Sequence, residues 1–126
     1  MKKNRKIIIF VSCIFLVLIT ILFTLMNNAV KKADSLAVIT PNLTCVSDGE
    51  YIGEYSITPV HVKVNVTVIN HEIASIEILE HDNGLGSPAE SIINNIVNTQ
   101  SLEIDAISGA TVSSKCILKA VENAID

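Results

Sequence analysis

The residues with the clearest chemical potential run from Asp105 to Ser114: Asp105-Ala106-Ile107-Ser108-Gly109-Ala110-Thr111-Val112-Ser113-Ser114. The pattern predicts a glycine-containing turn that opens a helix. Small residues at Ser108, Gly109 and Ala110 let another molecule approach the backbone. Free N–H groups at a helix start, at the positive end of the dipole, favour a phosphate there. Thr111, Ser113 and Ser114 add hydroxyls. Ser and Thr also cap helices that bind nothing. The residues alone therefore leave a phosphate site and a plain capped helix both open.

Other chemistry-bearing residues offer less. His61, His71 and His81 recur every ten residues, but His61 falls on the polar face of a strand and His71 in a turn. No Cys or carboxylate spacing supports a metal site, and the reading is of solvated histidines, with only His81 close to a glycine-rich loop. Asp48, Glu50 and Glu54 form an acidic group with no general-base partner, as on a solvated face. Three cysteines are too few for a disulfide framework; Cys45 and Cys116 could pair, while Cys13 sits in an apolar block. Asn42-Leu43-Thr44 and Asn65-Val66-Thr67 fit the glycosylation pattern, which is common by chance. The sequence contains no P-loop, nucleophile elbow or HExxH.

The elements that must position the Asp105–Ser114 stretch follow from periodicity. Val60, Val62, Val64, Val66 and Val68 alternate with His61, Lys63, Asn65 and Thr67, the mark of a half-buried strand. Ile73 to Leu79 forms a second strand, making an antiparallel hairpin over residues 60–80. Tyr51 to Ser56 is a shorter strand candidate interrupted by Gly53. His81 to Gly86 reads as a loop. Ser87-Pro88-Ala89-Glu90 predicts a helix start with a capping box, followed by the stripe Ile92, Ile93, Ile96 and Val97. Leu102-Glu103-Ile104 reads as a short extended piece. A second helix opens at Thr111, with Val112, Cys116, Ile117, Ala120, Val121 and Ala124 inward. The expectation is a small α+β domain over 48–126, an antiparallel sheet with two helices.

Before that domain lies a different composition. Lys2, Lys3, Arg5 and Lys6 give residues 1–26 a charge of +4, whereas residues 27–126 carry −8. Ile7 to Met26 is a 20-residue run without charge, long enough to span a bilayer. The basic residues 1–6 should stay cytoplasmic and send the C-terminal part outside, against a smaller opposing pair, Lys31 and Lys32. A cleaved signal peptide is the alternative. The apolar run exceeds the usual h-region of about 7–15 residues, and no clean A-x-A site follows it. Residues 27–47 read as a mobile tether. The 126 residues are too few for two full-sized domains. At 49% hydrophobic they are too apolar to be disordered throughout. With 13 acids against 9 bases, they are not a basic nucleic-acid binder.

The Asp-x-x-Ser-Gly-Ala-Thr core of residues 105–111, with its flanks from Gln100 to Lys115, resembles the signature of the FMN-binding domain family. Asp48-Gly49, Tyr51, Gly53, the Val strand and Gly84-Leu85-Gly86 are similar to that family's amino-terminal half. The resemblance covers about Asp48 to Ile125. Subunits of sodium-pumping NADH–quinone reductases and related membrane electron-transfer complexes carry versions of the motif. The resemblance implies that Thr111 takes FMN in phosphoester linkage. It implies that Asp105, Ser108, Gly109 and Ala110 are read by a flavin transferase using FAD as donor and magnesium as its metal. Ser113 and Ser114 correspond to hydroxyls beside the phosphate. Tyr51, Tyr55 and Leu85 are the candidates to flank the flavin ring. This chain is more compact than the larger electron-transport subunits, which favours a small anchored carrier exchanging electrons with a membrane dehydrogenase or quinol and an outer acceptor. Two other readings stay open: a module holding FMN or another phosphate-bearing ligand non-covalently, and an accessory subunit of a larger membrane oxidoreductase. Beyond the cofactor, the residues supply no acid, base or substrate pocket for a free-standing enzyme.

Overall fold

A computed structural model describes residues 2–82 and 87–126. Helix α1 (Lys2–Asp34) is followed by three strands, β1 (Gly49–Ile57), β2 (Val60–Ile69) and β3 (Glu72–Asp82). Two helices then complete the chain, α2 (Ile92–Thr99) and α3 (Thr111–Ile125). Short 3-10 turns occupy Leu43–Cys45 and Ser87–Ser91. The strands form one antiparallel sheet in the order β1-β2-β3, so the architecture is α+β.

The valine alternation of β2 does what its period requires. Val62, Val64, Val66 and Val68 are fully buried, and the residues between them are half-buried on the other face. Each such burial contributes about 1.5–3 kcal/mol. The β2–β3 turn has positive φ at both Asn70 (54°) and His71 (62°), as a type I′ hairpin turn demands, and that turn matches the right-handed twist of its strands. β3 carries two extra residues where the register shifts, Ala74 and Leu79.

Gly53 does not interrupt β1, contrary to the sequence expectation. The strand runs through it, paired with Val64. A Cβ there would overlap the Ala120 carbonyl oxygen and lie 2.6 Å from the Ala124 nitrogen. The glycine is the point at which α3 presses onto the sheet. Ile57 lies beside Cys116, so β1 and α3 run in opposite directions. α3 is buried on more than its sheet-facing stripe, Ser114 and Leu118 included, because α1 and the chain before Thr111 also pack on it.

Two other expectations change. The helix after residue 86 does not begin at a Ser87 capping box. Ser87–Ser91 is a 3-10 turn, α2 begins at Ile92, and the Glu90 carboxylate reaches the His81 ring, 2.9 Å from Nδ1. His81 and Asp82 belong to β3, not to a loop. The piece Leu102-Glu103-Ile104 joins no strand; it is irregular chain that buries Leu102.

Gln100 is the residue whose role sequence reasoning misses. It ends α2 in the left-handed region (φ 53°). Its side-chain amide accepts from the Ile73 N–H at 2.7 Å, and it donates to the Ile73 and Val97 carbonyls at 2.9 and 2.7 Å. One side chain thereby pairs an edge of β3 as a neighbouring strand would. Gln100→Ala leaves the Ile73 groups unpaired and should cost about 1–3 kcal/mol, read as a lowered urea midpoint with an unchanged slope.

Candidate functional site

The Asp105–Ser114 stretch folds as the turn-then-helix that its residues predict. The Ala110 N–H donates to the Ile107 carbonyl at 3.0 Å, closing a turn with Gly109 at φ 78°. That φ belongs to the left-handed region, which glycine enters without penalty. Among the described residues, no atom lies within 4 Å of where a Gly109 Cβ would stand. Asp105, Ser108 and Gly109 are exposed, Thr111 is half-buried and Ala110 is buried.

α3 has no side-chain cap at its start. Its first helical hydrogen bond is the Ser114 N–H to the Ala110 carbonyl, 2.9 Å. The preceding N–H groups of the first turn, at Thr111, Val112 and Ser113, have no intrahelical acceptor to reach. The arrangement therefore presents the Thr111 hydroxyl at the positive end of a 15-residue helix. An open glycine turn stands beside it. These donors and this space suit a phosphate group, and the Thr111 hydroxyl suits an ester to it.

Both serines are buried. Ser114 is fully buried; its Oγ accepts from the Ile107 N–H at 2.9 Å and donates to the Ala110 carbonyl at 2.8 Å. It holds the turn in shape and has no hydroxyl proton left for a ligand. Ser113 is buried as well, at 2% exposure.

The sheet end holding Ile57, His61 and Asp82 lies toward Thr111, because Ile57 meets Cys116 while Gly53 meets Ala120 and Ala124. Residues 83–86, including Leu85, fall outside the described residues, directly after Asp82. Tyr51 does not join this end. It lies with Ala124, Ile125 and Asp126 around a cleft of about 380 Å³, about 20 Å along α3 from Thr111, and its hydroxyl donates to the Ser47 carbonyl at 2.8 Å. Tyr55 is half-buried, packed against the core between Gly53 and Ile57. The three histidines serve separate contacts: His61 to Ser56, His71 to the Val46 carbonyl, and His81 to Glu90.

Cys45 is exposed and Cys116 is buried, and neither is in a disulfide. Burial pushes the Cys116 thiol up from 9.0 to about 11, against smaller lowering by the Ile57 backbone and by Lys32. At pH 8 a thiol-alkylating reagent should modify Cys45 in the native protein and Cys116 only after denaturation, a difference read by peptide mass. Burial favours the neutral thiol, so its contribution to stability is complete below pH 9 and falls as the pH rises toward 11.

Comparison with known proteins gives the class of this domain. The FMN-binding domain family model matches residues 59–126, from the start of β2 through α3. This chain belongs to that family. It is 42% identical over 66 residues to an NADH:acrylate oxidoreductase of Vibrio harveyi. The match takes in 50% of this chain and 7% of that protein, so the shared part is one module of a much larger enzyme.

The family and this oxidoreductase relative support a flavin-binding, electron-transfer role. α1 is long and apolar enough to cross a membrane, and its apolar stretch is not buried within the fold.

Proposed function

We propose that this protein is a membrane-anchored, extracytoplasmic electron carrier with FMN joined to Thr111 as a phosphoester. The observation that carries this reading is the uncapped start of α3, with the Thr111 hydroxyl at its first position and the Gly109 turn open beside it. A flavin transferase would make the linkage with magnesium and FAD. The Thr111 Oγ–phosphorus bond forms, the FAD pyrophosphate breaks, AMP leaves and the hydroxyl proton goes to solvent. Asp105, Ser108, Gly109 and Ala110 are the residues that the transferase would read, and three of the four are exposed.

Bound FMN supplies one- and two-electron chemistry, and the protein contributes position and electrostatics. A covalent bond makes physical sense outside the cytoplasm, where a dissociated flavin would be diluted away. In this reading residues 7–26 sit in lipid, with residues 1–6 cytoplasmic. A membrane dehydrogenase or quinol donates electrons and an outer acceptor receives them. Nucleic acid is not a partner of a domain with this acidic surplus. The NADH and acrylate named for the Vibrio protein belong to that whole enzyme; its kinship supports only the flavin-carrying step here.

The test is the intact mass of the full chain produced with a flavin transferase, with in-gel fluorescence after denaturation. An FMN-sized adduct on the peptide containing Thr111 supports the reading. An unmodified chain, made beside a substrate that the same transferase does modify, moves the function to non-covalent binding of a phosphate-bearing ligand.

A further inference from the structure

The segment that follows the apolar run is not the loose tether expected for residues 27–47. α1 continues without a break to Asp34. Ala29 and Ala33, one helical turn apart on the same face, are 3% and 0% exposed. Their small side chains allow close packing, and α1 contacts α3 and β1. Leu36 and Val38 pack against the core. The Ile39 N–H donates to the Glu122 carboxylate at 3.1 Å, and the Leu102 N–H donates to Thr40 Oγ1 at 2.9 Å. Lys119 Nζ donates to Glu122 at 2.7 Å and to the Ala37 carbonyl at 3.5 Å.

These contacts have an order along α3. Ala37 meets Lys119 and Ile39 meets Glu122, and the chain from Pro41 to Ser47 reaches Ala124–Asp126. Earlier still, Lys32 lies close enough to Cys116 for its charge to act there. Leaving α1, the chain therefore advances toward the C-terminal end of α3. Followed backward, α1 heads toward the Thr111 half. From Ala33 to Met26 is about 10 Å of helix, and from Cys116 back to Thr111 about 7 Å.

We propose that residues 27–40 form a rigid bracket, that this bracket turns the Thr111 end of α3 toward the bilayer, and that the flavin's partner is a redox group carried in or on the membrane. The inference rests on the membrane anchor and the Thr111 site of the preceding reading. A domain on a leash could deliver its cofactor to a distant soluble partner. A domain clamped by Ala29 and Ala33 presents one end at a fixed height, so the partner must come to it along the membrane.

Spin-label distances on the full chain in lipid nanodiscs test this. In a Cys13→Ser, Cys45→Ser background that keeps the buried Cys116, one label is placed at Asn27→Cys. The second is placed at Ser108→Cys or at Asp126→Cys, at opposite ends of α3. The expected result is two narrow distributions, with 27–108 the shorter, and stronger relaxation of the 108 label by nickel-chelating lipid headgroups. Broad distributions, or 126 nearer to residue 27 and to the headgroups, overturn the proposal. The distances are read with or without flavin, so failure of the flavin linkage is distinguishable from failure of the bracket.

Discussion

Thr111→Ala is expected to abolish the flavin adduct completely. Truncating the side chain at Cβ removes the hydroxyl oxygen, the only side-chain atom at that position that can carry the ester. The loss should be seen twice, as missing fluorescence in a denaturing gel and as an intact mass equal to the bare chain. Thr111→Ser keeps a hydroxyl at the same helix position and should retain part of the adduct. Thr111 is half-buried and its change should cost only about 1 kcal/mol of stability. A folded variant without flavin is therefore the informative outcome, and a fluorescent Thr111→Ala band would sink the assignment. Ser114→Ala should behave differently. Its hydroxyl ties Ile107 to Ala110, so the first loss is in the shape and stability of the turn.

The largest effect on the fold is expected from Gly53→Val. A Cβ at residue 53 meets the backbone of α3, at the Ala120 oxygen and at 2.6 Å from the Ala124 nitrogen. Neither atom is the end of a flexible side chain, so relief requires α3 to lift from β1. Overpacking commonly costs about 1–3 kcal/mol, and two branches added to that Cβ drive it to the upper end or beyond. Domains are stable by only about 5–15 kcal/mol. A lowered melting transition is the result to expect, with reduced flavin attachment following from a displaced α3. A melting curve like the parent's would mean that α3 is not seated where Gly53 places it. Gly53→Ala gives a graded version of the same test.

Much of this architecture is legible in the sequence because it rests on period. The alternation from Val60 to Val68 specifies one strand and its inner face, and the small residues before Thr111 specify a turn into a helix. What eludes sequence reading depends on what a residue meets. Gly53 looks like a strand breaker until α3 lies against it. Ser87 and Glu90 match a capping box, but Glu90 is close to His81 in the fold. Gln100 gives no sign of its role in the sheet, since its Ile73 partner lies 27 residues away in β3. Ala29 and Ala33 are invisible for a similar reason: after an apolar run, two alanines among polar residues show no stripe. In the candidate site, residue type from Asp105 through Thr111 specifies the turn into a helix, whereas the structural employment of Ser114 is visible only in its hydrogen bonds. Tyr51 is aromatic by type, but the direction of β1 places it at the far end of α3.

The opposite directions of β1 and α3 have a bearing on how the protein is made. α3 follows in the chain every element on which it packs, and its Cys116, Ile117 and Val121 complete the core laid down by β1 and β2. The hairpins form from neighbouring segments, but closure waits for contacts spanning about 70 residues, between Gly53 and Ala120 or Ala124, and such distant pairings are slow to form. Until α3 has emerged and docked, Thr111 is part of an open chain with no helix start to display. Under the proposed function, a transferase that needs the shaped turn would modify only chains whose assembly is complete.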